Sequence, residues 1–142
     1  SGNIIPVGTT SLRTLESLYW LGVKIIQDPM IEIADLKVAQ WDPYETTEQL
    51  LSANEALIAL INWLKQKNMQ RLITKTKIII APGYQFKIIK GLITNFHQPQ
   101  STLLLLVAAI TGMDWKMIYD YALNNEFRFL SYGDGCLLWC NQ

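Results

Sequence analysis

The sequence predicts an α/β chain with a largely parallel sheet and flanking helices, on two observations. Short apolar runs of strand length alternate with longer stretches in which apolar residues recur at helical spacing. Glycine, proline or paired asparagines mark most of the points where one pattern gives way to the other.

The elements follow in order. Residues 4–7 form a short apolar strand that runs into Gly8-Thr9-Thr10-Ser11. A helix follows with Leu12, Leu15, Leu18 and Tyr19 on one stripe, any of the three hydroxyl residues able to cap it, and Gly22 as its stop. Residues 23–26 read as the next strand. Residues 28–45, with Pro29 and Pro43, read as an irregular stretch holding one short strand at 31–33. Thr46 and Gln49 have the spacing of a capping box that opens a long helix to about Lys67. Strand runs are expected at 77–81, 86–89 and 92–94. Ser101 caps a helix over 102–111 that is apolar nearly all round and therefore buried, with Gly112 ending it. Asp114 caps another over 115–123, stopped by Asn124-Asn125. Strands at 127–130 and 136–139 flank the turn Ser131-Tyr132-Gly133-Asp134-Gly135.

Composition excludes several classes. Twelve basic and twelve acidic residues cancel, so neither a uniformly basic nucleic-acid binder nor an acidic disordered tail is described. Half of the 142 residues are hydrophobic and only 17% charged, against about 25% in an average domain, so some apolar surface is expected to meet a partner. The longest uncharged apolar run, 103–110, is short of the roughly 20 residues of a membrane span. No signal peptide is expected, and the abrupt start reads as a truncated chain. Cys136 and Cys140, with His97 as the single histidine, do not make a four-ligand zinc site without carboxylates, and they read as reduced cytosolic thiols.

Charge is uneven along the chain. Residues 56–113 hold seven bases and no acid, whereas residues 1–55 hold eight acids and three bases. The basic block could meet a phosphate backbone, or its lysines could simply be solvated at helix ends and sheet edges.

Four loops could carry chemistry. Gly8-Thr9-Thr10-Ser11, with Arg13 just inside the helix, offers free N–H groups and hydroxyls to an anion, although the lysine and spacing of a P-loop are missing. Pro82-Gly83-Tyr84-Gln85-Phe86 displays an aromatic ring and an amide at a strand end. Thr94-Asn95-Phe96-His97-Gln98-Pro99 contains the one imidazole. Ser131-Tyr132-Gly133-Asp134-Gly135 sets two glycines around one carboxylate, and an ordinary tight turn is the simplest reading of it.

Taken together these loops resemble a family. Residues 7–17, 82–87, 92–103 and 127–134 recur in the order and wording of the C-terminal part of the S-adenosylmethionine:tRNA ribosyltransferase-isomerase family of queuosine biosynthesis. The resemblance implies that residues 1–142 are one C-terminal portion of a larger, barrel-like α/β domain, whose N-terminal half and inserted β-barrel are absent. It implies transfer of the ribosyl group of S-adenosylmethionine to the 7-aminomethyl-7-deazaguanine of a tRNA anticodon stem-loop. The group is then isomerised to an epoxycyclopentanediol, giving epoxyqueuosine, with adenine and methionine released. S-adenosylmethionine is then a substrate, and no metal or resident cofactor is needed.

On this basis His97 and Asp134 are the proton-transfer candidates. Gly8, Thr9, Thr10, Ser11 and Arg13 are expected to hold an anionic group, and Asn95 to orient a ligand. Tyr84 and Tyr132 are expected to stack on a base, with Gly133 giving close backbone approach. Gly135-Cys136 and Gln98 depart from the family's wording, and the stretch 40–76 is longer than is typical of it. The alternative is a non-catalytic RNA-binding or assembly module on the same scaffold. The chain alone is expected to be inactive and to self-associate as a dimer.

Overall fold

The structure is a computed structural model that describes residues 2–45, 51–98 and 100–141. It divides into two compact units, Ser1–Leu12 with Ile80–Gln142, and Arg13–Ile79.

The first unit is organised around β1 (Gly91–Asn95). On one side β1 pairs antiparallel with β2 (Gly135–Trp139), from Gly91 opposite Trp139 to Asn95 opposite Gly135. On the other side Ile93 turns its backbone to the N-terminal segment: its N–H donates to Pro6 (2.9 Å), its carbonyl accepts from Gly8 (2.8 Å), and Val7 bridges it in parallel. Gly91 is needed where the strands meet, because a Cβ there would lie 2.7 Å from the Leu138 carbonyl oxygen.

The helices α4 (Thr102–Thr111) and α5 (Trp115–Asn124) complete this unit. Ser101 caps α4 by accepting from Leu103 N–H (3.2 Å), and Gly112 ends it at φ 62°. Asn141, just beyond β2, secures the other end of α4: its backbone donates to the Ile110 carbonyl and its side chain to that of Thr111 (2.9 and 2.8 Å). Leu106, Val107 and Ile110 are buried with Leu92, Leu138 and Tyr119. By length and composition alone the run Thr102–Asn124 would suffice to cross a membrane. Gly112 instead divides it into two ten-residue helices of about 15 Å each, half of what the hydrocarbon layer requires.

In the second unit α1 (Thr9–Gln27), which starts in the first, lies with the one-turn helix α2 (Asp42–Glu45) and with α3 (Ala53–Gln66). Tyr19, Leu21, Leu36, Val38, Ala56, Leu60, Trp63 and Ile78 are buried there. Lys24 pairs with Asp42 at 2.8 Å. Tyr19 donates its hydroxyl proton to the Leu51 carbonyl (2.8 Å). A segment near residue 38 runs parallel to one near residue 76, through a Val38–Thr76 bridge and the Lys77 N–H donating to Val38 (2.9 Å).

Several sequence expectations are corrected. Gly22 does not end α1, and residues 23–26 are helix rather than strand. The reason is tertiary: a Cβ on Gly22 would lie 2.1 Å from the Ala56 carbonyl oxygen, so the glycine is where the two backbones cross. The capping box of α3 is Ser52 with Glu55, whose reciprocal bonds are 3.2 and 2.9 Å, whereas Thr46 and Gln49 lie outside the described residues. Among the described residues the ladder is antiparallel and two-stranded, with parallel pairing confined to two isolated bridges, so the largely parallel sheet is not formed. Residues 31–33 fall at the start of a turn, and 77–81 are extended with Ile78 and Ile80 buried but without a ladder. Ile88 and Ile89 are both buried, which breaks the two-residue period of a strand at 86–89. At 127–130, positive φ at Glu126 (60°) and Leu130 (70°) turns the chain away from strand geometry.

Candidate functional site

The C-terminal end of β1 gathers three of the four loops. Because residues 4–8 run parallel to β1, Gly8 delivers the start of α1 to the end of the strand where Asn95 stands. Gly8 has φ 89° with open space around its Cβ position, so glycine serves the turn itself. The Leu12 N–H returns to the Gly8 carbonyl (3.2 Å), which closes the first turn of the helix. Thr9, Thr10 and Ser11 lie in this partly to fully exposed turn.

Asn95 donates from Nδ2 to the Gly133 carbonyl (3.2 Å), tying β1 to the loop before β2. That loop is a closed turn. The Asp134 carboxylate accepts from Arg128 N–H (2.7 Å) and from the Arg128 guanidinium (3.2 Å), and Asp134 N–H donates back to the Arg128 carbonyl (2.9 Å). Gly133 has no substitute here, since a Cβ would lie 2.4 Å from the same Arg128 oxygen. The Arg128 bonds hold the Asp134 carboxyl below the usual carboxylate range, so at neutral pH it is an acceptor and an anion.

His97 is half-buried. Its Nε2 lies 3.2 Å from Thr94 Oγ1, and its backbone N–H donates to the Tyr119 hydroxyl (3.0 Å). Burial pushes the imidazole below its ordinary value, which favours the neutral ring at neutral pH. Under this polar end lies an aromatic floor: Phe96 is buried with ring centroids 5.4–5.6 Å from Phe129, Tyr119 and Phe127. The Cys136 thiol donates to the Thr94 carbonyl (3.4 Å), and burial pushes it up, which favours the protonated form.

Other expected site residues are placed elsewhere. Tyr84 is only 7% exposed, stands edge-on to Phe86 at 5.2 Å, and lines a cavity of about 360 Å³ with Cys140 and Asn141, toward the opposite end of β1. Pro82, from the same loop, borders a mostly apolar cavity of about 440 Å³ against Ser101, Leu105 and Trp115. Tyr132 projects from the turn, 98% exposed. Arg13 belongs to the second unit, where its guanidinium donates to the Ile78 carbonyl (2.7 Å). Sequence reasoning gave no role to Arg128, Thr94 or Tyr119. Among the described residues no group of three His, Cys, Asp or Glu side chains is placed to hold a metal ion.

With this geometry in place, comparison with known proteins is decisive as to family. Residues 1–138 match the model of the queuosine biosynthesis protein family. A relative from Polynucleobacter asymbioticus named S-adenosylmethionine:tRNA ribosyltransferase-isomerase is 49% identical over 138 residues, covering 96% of this chain and 26% of the relative. A Jannaschia protein of the same name is 37% identical over 142 residues, 99% of this chain and 27% of its own. The crystal structure of S-adenosylmethionine tRNA ribosyltransferase from Thermotoga maritima is similar with a TM-score of 0.56 at 32% identity, over 96% of this chain and 32% of that one. The chain thus spans about a quarter of the length of those two curated relatives. Its sequence pattern is matched almost from end to end, and the chain belongs to the queuosine biosynthesis protein family.

Proposed function

We propose that the chain supplies one part of the active site of an S-adenosylmethionine:tRNA ribosyltransferase-isomerase. As a C-terminal portion of a larger α/β domain, it would work on tRNA and S-adenosylmethionine in the cytoplasm. The observation that carries this reading is the meeting of three separated loops at the end of β1, where Asn95 bonds Gly133 and Gly8 bonds Ile93. A barrel-like parallel sheet in the whole domain would extend from the Val7–Ile93 bridge.

Ribosyl transfer with loss of adenine needs a proton delivered to the leaving base, and isomerisation needs one removed beside the sulfonium. His97, kept neutral by burial, takes the proton removed beside the sulfonium and, once protonated, returns it to the departing adenine. Asp134, kept ionised by Arg128, steadies positive charge and reaches a proton only through a bound group. Thr9, Thr10 and Ser11 hold the methionine carboxylate or an anticodon phosphate at the start of α1. Asn95 presents its amide to a ribose hydroxyl or base edge, and exposed Tyr132 offers a face for stacking. S-adenosylmethionine is consumed as substrate, with no resident cofactor.

The test is full-length protein containing this sequence, incubated with S-adenosylmethionine and tRNA carrying the deazaguanine base. Adenine release abolished by His97→Ala is the expected result. RNA binding without adenine release would favour the alternative, a non-catalytic RNA-binding module. The isolated chain is expected to release no adenine. It is also expected to form dimers through the exposed Met117 and Tyr121, one turn apart on α5, and light scattering at tens of micromolar reads this directly.

A further inference from the structure

The second unit carries a row of cations on one face of paired extended backbone. Val38 and Thr76 bridge in parallel, with Val38 N–H donating to Lys75 (3.2 Å) and Lys77 N–H donating to Val38 (2.9 Å). Extended backbone alternates its side chains. Val38 is buried, and Thr76, although exposed, meets the Ser17 hydroxyl of α1 at 2.7 Å, so these two share the side that faces α1. Lys37, Lys75 and Lys77 therefore share the outer face, and all three are exposed. Lys37 stands beside Lys75, and Lys75 is about 6.6 Å along the strand from Lys77. Arg71, also exposed, lies four residues before Lys75.

Among the described residues no salt bridge engages this row. The salt bridges among the described residues are Lys24–Asp42, Lys67–Glu32 and Arg128–Asp134, and none involves Lys37, Arg71, Lys75 or Lys77. Asp42, the closest acid after Val38 in the chain, is already engaged by Lys24 (2.8 Å) and by the Ala39 N–H (2.7 Å). Like charges side by side on adjacent strands destabilise a fold. A cost of that kind is recovered when a polyanion lies along the row and its counterions are released.

We infer that Lys37, Lys75 and Lys77, with Arg71, form a contact for the phosphate backbone of an RNA. The inference rests on the RNA-directed reading above and adds where the nucleic acid is gripped. Phosphate contacts of this kind position the substrate and carry no sequence information, so unmodified tRNA suffices as the probe.

The experiment measures binding of a labelled, unmodified tRNA transcript to the 142-residue chain across a salt series, without S-adenosylmethionine. The variants are Lys37→Gln/Lys75→Gln/Lys77→Gln and the matching triple arginine variant, and their melting curves confirm that both stay folded. The glutamine variant is expected to bind at least about tenfold more weakly, with the slope of log K against log salt lowered by about 2 to 3. The arginine variant is expected to bind like the parent. Unchanged affinity and slope in the glutamine variant would overturn the inference. So would a loss seen only with phosphatidylglycerol vesicles, which would make the partner a membrane surface. Adenine release by the full-length enzyme is read separately, so the cationic row and the enzymatic reading succeed or fail independently.

Discussion

The two ends of β1 use the same device for different purposes. At its N-terminal end Gly91 lets the Leu138 backbone approach to a distance that no side chain tolerates, and the surroundings are rings and buried aliphatic groups. At its C-terminal end the glycine lies in the facing loop, where Gly133 passes just as close to Arg128, and the surroundings are an amide, a carboxylate and an imidazole. One end is closed by packing and the other is pinned by directional bonds. The difference teaches where a substitution should be felt: in global stability at the first, and in local order and chemistry at the second.

The largest effect is expected where packing supports the polar end. Phe96→Ala removes the ring shared by Phe127, Phe129 and Tyr119, and should cost about 3 to 5 kcal/mol in denaturant unfolding. A cost below about 1 kcal/mol would mean the aromatic floor is not what holds the chemistry in place. Next come the two glycines. Gly91→Ala should lower unfolding free energy by about 1 to 3 kcal/mol, as overpacking does. Gly133→Ala would press a Cβ onto the Arg128 backbone, so the partly exposed turn has to open locally to admit it. Its signature is lost amide-exchange protection at Gly133 and Asp134, with little change in melting temperature. Equal melting shifts from both substitutions would erase the contrast.

Acid should loosen the C-terminal end first. The Asp134 carboxyl is lower in the folded protein than in the unfolded chain, so its contribution is full above about pH 4. It is lost as pH falls through the lower folded value. Amide-exchange protection in residues 128–134, corrected for the intrinsic pH dependence of exchange, should fall on acidification in the parent, and be low at every pH in Asp134→Asn. The smallest effect belongs to His97. Burial lowers its folded value below about 6.5, so the neutral ring stabilises the fold above that pH and the benefit fades as pH drops through the folded value. Imidazole NMR shifts should titrate below those of a free histidine, and a midpoint above 6.5 would contradict the burial described here.

Much of the first unit was legible because its signals are local. Ser101 and Gly112 bracket α4 by ordinary capping, and the sequence around Asp134 reads as a tight turn before any partner is known. What was not legible depends on groups far along the chain. Gly22 reads as a helix stop until Ala56 is placed against it. The box Ser52–Glu55 that starts α3 is local, yet the sequence reading passes over it for Thr46–Gln49, which has the same spacing and lies outside the described residues. For the candidate site, Asn95, His97 and Asp134 were singled out by the loops they stand in. Their supports, Arg128, Thr94 and Tyr119, were not, because a role that consists in holding another residue leaves no mark in sequence spacing.

The crossing of α1 and α3 has a consequence for how such chains diverge. The atom that excludes a side chain at Gly22 is a backbone oxygen of Ala56, so no replacement of residue 56 can make room. Position 22 is thus constrained by the presence of α3 itself rather than by the identity of any residue in it. In descendants that keep α3, this glycine should be inherited unchanged, whereas a lineage that deletes the helix should let the position drift at once. The state of one residue then records whether a whole segment is present.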